Sequence, residues 1–106
     1  MASERVEALR ALVGENPDDP LGHYLLGLEL SKLSRHDEAV RAFRRAVDLD
    51  PLYTAAWREL GKALGRAGDV PGARGALARA VEVAEVTGDL QTRREAEVFL
   101  RRLGEG

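Results

Sequence analysis

The chain has 106 residues, 44% hydrophobic and 32% charged, with no cysteine and a net charge of −2. That length suits one domain stabilised by efficient packing, the charge balance speaks against a general nucleic-acid binder, and the missing cysteine excludes disulfide and thiol chemistry while fitting a reducing compartment. No run approaches the ~18 apolar residues of a membrane span and no N-terminal segment suits a secretory signal, so a soluble cytoplasmic protein without a membrane partner is expected.

Residues 3–14 carry Val6, Leu9, Leu12 and Val13 and are expected to form a first helix. Asp19 and Pro20 then read as an N-cap and a first helical residue. Leu26, Leu30 and Leu33 make one helical face, and Ala39, Phe43, Ala46 and Val47 make a second on the next helix. His36, beside Asp37, reads as a turn residue at that helix start. Trp57, Leu60 and Leu64 repeat the first face, and Ala73, Leu77, Ala80, Val81 and Ala84 repeat the second. Between them Gly68 is expected to end a helix in the left-handed conformation, with Asp69 as the next cap and Pro71 in the first turn. The second helix of this pair lacks a closing proline at Glu85 and is expected to run on to about Thr87. Residues 89–103 begin with Asp89 as cap, and Ala96, Phe99 and Leu103 form one stripe with Leu100 beside it.

The two middle segments are copies. Laying 20–53 over 54–87 matches Leu26 with Leu60, Gly27 with Gly61, Leu30 with Leu64 and Ala39 with Ala73. Ala42 then matches Ala76, Arg45 Arg79, Ala46 Ala80 and Val47 Val81, and Pro17 and Pro51 are also 34 apart. Small residues recur where two antiparallel helices must come close, so a missing Cβ at Gly27 or Gly61 makes room for a large neighbour such as Phe43 or Trp57. Gly65, Gly72 and Gly75 have no such account and read as tolerated.

No catalytic constellation is present. His23 and His36 have no cysteine or clustered carboxylate at metal-ligand spacing, and His23 occupies the place of Trp57, where packing is its expected role. A phosphate-binding G-x-x-x-x-G-K-[ST] loop fails around Lys62, because Ala56 and Ala63 stand at required positions. Asp18, Asp19, Asp37 and Glu38 sit at helix starts, where the helix dipole favours them. No metal, no cofactor, no nucleic acid and no enzymatic activity are expected.

The pattern Trp57-x2-Leu60-Gly61-x2-Leu64, Ala73-x3-Leu77, Ala80 resembles the tetratricopeptide repeat, as does His23-x2-Leu26-Gly27-x2-Leu30, Ala39-x3-Phe43, Ala46, Pro51. The departures are His23 for tryptophan, Leu30 and Leu64 for tyrosine, and Leu77 for phenylalanine. The resemblance implies an all-α, right-handed superhelix of stacked hairpins with about six helices: a half-repeat at 3–14, repeats at 20–53 and 54–87, and a capping helix at 89–103. The whole looks like small stand-alone bacterial proteins of this family.

The family's peptide groove is lined by the first helix of each unit. Here that places Leu21, Tyr24, Leu25 and Leu28 beside Ala55, Arg58, Glu59, Lys62 and Arg66, with Arg93 and Ala96 from the last helix. Tyr24 and Leu28 are expected to grip an apolar side chain, or else to pack on the first helix. Arg58, Lys62, Arg66 and Arg93 are expected to pair with carboxylates of an acidic peptide, or else to form a solvated face. The family's clamp for chaperone tails maps onto Tyr24, Leu28, Glu59, Asp89 and Arg93, of which only Arg93 agrees. The expected role is a scaffold that binds a segment of another protein. The alternatives are a self-associating homo-oligomer, joined through Phe99, Leu100 and Leu103 taken as exposed, or an accessory subunit docking an enzyme.

Overall fold

The computed structural model describes the backbone of residues 2–105 and the side chains of residues 4–104. It is all-α, with α1 at Ala2–Glu15, α2 at Pro20–Lys32, α3 at His36–Leu49, α4 at Thr54–Arg66, α5 at Val70–Thr87 and α6 at Leu90–Glu105. Local chemistry sets the boundaries. Asp19 accepts a hydrogen bond from the Leu21 amide at 3.0 Å, Asp69 from Gly72 at 2.9 Å and Asp89 from Thr92 at 3.1 Å, so three helix starts have a donor satisfied. Arg35 and Tyr53, at the starts of α3 and α4, offer no such bond.

The ends of α2, α4 and α5 share one device. The amide of Asp69 reaches back to Leu64 O at 2.9 Å around Gly68, whose φ is 92°. Asp89 does the same to Ala84 O around Gly88. In the first hairpin Arg35 closes on Leu30 O at 2.9 Å, yet the residue at the left-handed position is Ser34, with φ 59°. A residue with a Cβ is disfavoured there by roughly 1–2 kcal/mol, a cost the sequence pattern does not reveal. His36 opens α3 rather than lying in the preceding turn. With no proline to stop it, α5 reaches 18 residues and ends at Thr87.

Successive helices pack as stacked antiparallel pairs, α2 on α3 and α4 on α5, with α1 against α2 and α6 against α5. The core runs through the stack along Leu26, Leu30, Phe43, Val47, Leu60, Leu64 and Leu77, all buried, with Ala39, Ala46, Ala73 and Ala80 wholly excluded from solvent. Alanines on α3 and α5 and glycines on α2 and α4 bring backbones close enough for the large side chains to interdigitate. A Cβ on Gly27 would lie 2.5 Å from the Phe43 ring, and one on Gly61 2.5 Å from Leu77 Cγ. At Gly61 the filler is therefore Leu77 and not Trp57. The indole instead donates from Nε1 to Pro51 O at 2.8 Å, and His23 Nε2 bonds Pro17 O at the same distance. Two different rings thus tie the start of each hairpin to the proline carbonyl six residues earlier.

Candidate functional site

The curvature follows from which helices touch. Among the described residues α2 packs on α4 and α4 on α6, whereas α3 and α5 do not pack on each other and α1 reaches α3 through the Arg10–Glu38 ion pair at 3.1 Å. The first helices of the hairpins therefore lie on the inside of the bend, and α2, α4 and α6 form the concave face. Between α2 and α4, at the end of this face next to the α2–α3 turn, lies a groove of about 720 Å³ bordered by Leu28, Lys32, Ser34, His36, Glu59 and Arg66.

The upper part of the face is a filled polar network. Arg58 donates from Nε to Glu59 at 3.0 Å and from Nη1 to Glu95 on α6 at 3.1 Å, with Thr92 Oγ1 at 3.5 Å. Glu59, buried at 9% exposure, also receives Lys62 Nζ at 3.3 Å. Burial opposes the charge on Arg58, and the hydrogen bond and charge of Glu59 more than offset it, so its pKa is raised. The Tyr24 ring stands 4.9 Å from that of Tyr53 and 5.9 Å from that of Phe43. Burial, then the charge of Glu59, pushes the Tyr24 hydroxyl pKa up. Asp89 belongs to the same edge: its bonds to Thr92 and to Thr54 Oγ1, the latter at 2.7 Å, hold its carboxyl below the usual range.

The structure thus brings Tyr24, Arg58 and Lys62 together around Glu59. Leu28 and Arg66 lie lower, in the wide groove. Leu28 is half-buried against the core, and Arg66 is exposed and has no ion pair among the described residues. Arg93 is elsewhere: its Nη2 lies 3.5 Å from Glu85 on α5, and its Nε 3.3 Å from Glu97 without the alignment of a hydrogen bond. The expectation that Phe99, Leu100 and Leu103 are exposed is not met. All three are half-buried against Leu77, Ala80 and Ala96, while Val86 and Leu90 are the exposed large apolar residues of that end.

Two members of the face had no motif to announce them. Glu95 and Thr92 are partners of Arg58, and the only signal is register, since Thr92 falls 34 residues after Arg58. Among the described residues no cluster of three His, Cys, Asp or Glu side chains could hold a metal, and no helix is long and apolar enough to cross a membrane.

Comparison with known proteins agrees with this geometry. The tetratricopeptide-repeat family model matches residues 24–89. The TPR repeat-containing protein PA0015 of Pseudomonas aeruginosa is 36% identical over 98 residues, covering 92% of this chain and 93% of that protein. The solution structure of protein BPP2914 from Bordetella parapertussis superposes with a TM-score of 0.81 at 38% identity, over 94% of this chain and 87% of that one. The TPR2B domain of yeast Sti1, solved in a complex with pHsp70, gives a TM-score of 0.92 at 19% identity, over 98% of this chain and 83% of that one, a likeness of fold. This chain belongs to the tetratricopeptide-repeat family.

Proposed function

We propose that this protein is a non-catalytic interaction module that receives a segment of another protein along the concave face of α2, α4 and α6. The observation that carries the reading is the open groove that sets Leu28 beside Arg66, a cation with no ion pair among the described residues, on a face that the fold leaves uncovered. The complex of the Sti1 domain with pHsp70 supports the same use of the fold. In this reading 20–53 and 54–87 are the repeats, 3–14 is a half-repeat, and 89–103 caps the stack with Ala96 inward and Arg94 and Arg101 outward. The module works in the cytoplasm, a setting compatible with its lack of cysteine.

The roles of the cations follow from their partners. Arg58 is saturated by Glu59 and Glu95 and shapes the face. Lys62 shares Glu59 and keeps part of its charge for a ligand. Arg66 is free to pair with a carboxylate of an acidic segment, and Tyr24 and Leu28 supply apolar contact. Arg93 sits beyond the network and serves a ligand that crosses α6.

Affinity capture with the wild type and with a Leu28→Gln, Arg66→Glu double variant tests the reading. The expected result is a partner recovered by the wild type and lost by the variant, with an unchanged circular dichroism spectrum. Equal recovery of the same partner by both proteins would remove the groove assignment.

A further inference from the structure

The wide groove is not the only opening on the concave face. A smaller crevice of about 240 Å³ lies where α4, α5 and α6 meet. Its floor is Gly61, Gly65 and Leu77, its wall is Phe99 and Leu103, and its rim is Lys62, Arg66 and Arg102.

Gly65 gives the crevice its meaning. A glycine inside a helix is less favourable than alanine by about 1 kcal/mol. At Gly27 and Gly61 close approach of a side chain requires it. At Gly65 packing requires nothing: a Cβ would find Ala73 Cβ at 3.8 Å and Leu103 Cδ2 at 4.0 Å, ordinary contact distances. What the glycine provides is empty space. Alanine or a larger residue would fit the helix and fill the crevice.

The chemistry of the space selects an occupant. The walls are apolar, and among the described residues no carboxylate lines them. The rim concentrates positive charge: Lys62 Nζ is 5.1 Å and Arg102 Cζ 5.7 Å from the Phe99 ring centroid, two cations over one ring. Arg66 and Arg102 have no ion pair among the described residues. The volume lies below the roughly 300–1,000 Å³ of small-molecule sites and is the size of a side chain. Arg66 borders both openings, so a segment that leaves the wide groove across α4 at Arg66 reaches this one.

We infer that the crevice is an anchor pocket for one large apolar side chain of a partner protein, carried on an acidic segment whose carboxylates pair with Arg66 and Arg102. The inference deepens the groove reading above and rests on it.

A display library of random dodecapeptides, panned on the full chain, tests it. Enriched peptides should carry a Leu, Ile, Met or Phe flanked by Asp or Glu. For a synthesised member, fluorescence anisotropy should show a loss of about tenfold or more on Gly65→Leu, the weight of one buried apolar side chain. Arg102→Glu should weaken binding similarly, and Gly65→Ala should weaken it less while raising Tm. That alanine variant keeps the test valid if the leucine variant folds poorly. Enrichment of basic or uncharged peptides would overturn the inference, as would affinity unchanged by both Gly65 variants and by Arg102→Glu. Loss on Leu28→Gln with no effect at Gly65 overturns the anchor pocket and leaves the groove standing. No enrichment on the folded protein overturns both.

Discussion

The α2/α3 and α4/α5 hairpins are built alike inside and differ where they face the groove. Inside, Gly27 against Phe43 becomes Gly61 against Leu77, and each contact closes to the same degree. The anchoring bond to a proline carbonyl is kept although histidine replaces tryptophan. On the concave face the register gives the opposite picture. Tyr24 corresponds to Arg58, Leu25 to Glu59, Leu28 to Lys62 and Ser31 to Gly65. The first hairpin therefore offers aromatic and aliphatic surface, and the second a charged network beside a crevice. Packing fixes one set of positions because a Cβ more or less is felt there. The other set answers to whatever lies in the groove.

This contrast can be broken first at the glycines. Gly27→Ala should destabilise by about 1–2 kcal/mol, because overpacking outweighs the helix-propensity gain. Gly61→Ala should cost less, since a leucine can repack where a rigid ring cannot. Urea unfolding of both variants checks the order; a gain in stability at either site would undo the close-approach argument. The left-handed turns sharpen it next. Ser34→Gly should stabilise by up to about 1 kcal/mol, making the first hairpin end like the second at Gly68, and the urea midpoint should rise with no change in slope.

Acid gives the smallest effect. The Asp89 carboxyl titrates below its ordinary value of 3.8 in the folded state, so it binds fewer protons folded than unfolded. Its contribution is fully present above that ordinary value and is lost as pH falls through the lower folded one. Tyr53, at the start of α4, has no equivalent bond. Thr54, the first residue of α4, shares the Asp89 carboxylate, so amide exchange below about pH 4 should rise at the starts of both α6 and α4, and Asp89→Asn should remove that pH dependence.

The repeat, the hairpins and the helix limits were legible because they rest on short-range rules. A 34-residue period, apolar residues on one helical face, Asp before Pro, and glycine after a last turn each carry their cause in the chain itself. Ser34 was not legible, since its φ is imposed by the closure of Arg35 on Leu30 and not by its own preference. The groove was legible in outline and not in its pairing. Arg58, Lys62 and Arg66 recur at helical spacing and look equivalent. Only the placement of Glu59 and Glu95 separates a saturated guanidinium from a free one. In the sequence Gly65 reads as a tolerated residue; its role comes from Phe99, 34 positions later, whose side chain walls the space the glycine leaves.

The indole at position 57 has one more consequence. It is the chain's single tryptophan, its N–H is held by the Pro51 carbonyl, and the Arg79 guanidinium stands 5.9 Å from its ring. An emitter held between α4 and α5, and tied to the α3–α4 loop, reports on the second hairpin and its junction with the first. Its emission will redshift when that hairpin parts, while far-ultraviolet circular dichroism averages over every helix. Any lag between the two signals during melting measures directly how tightly neighbouring units cooperate.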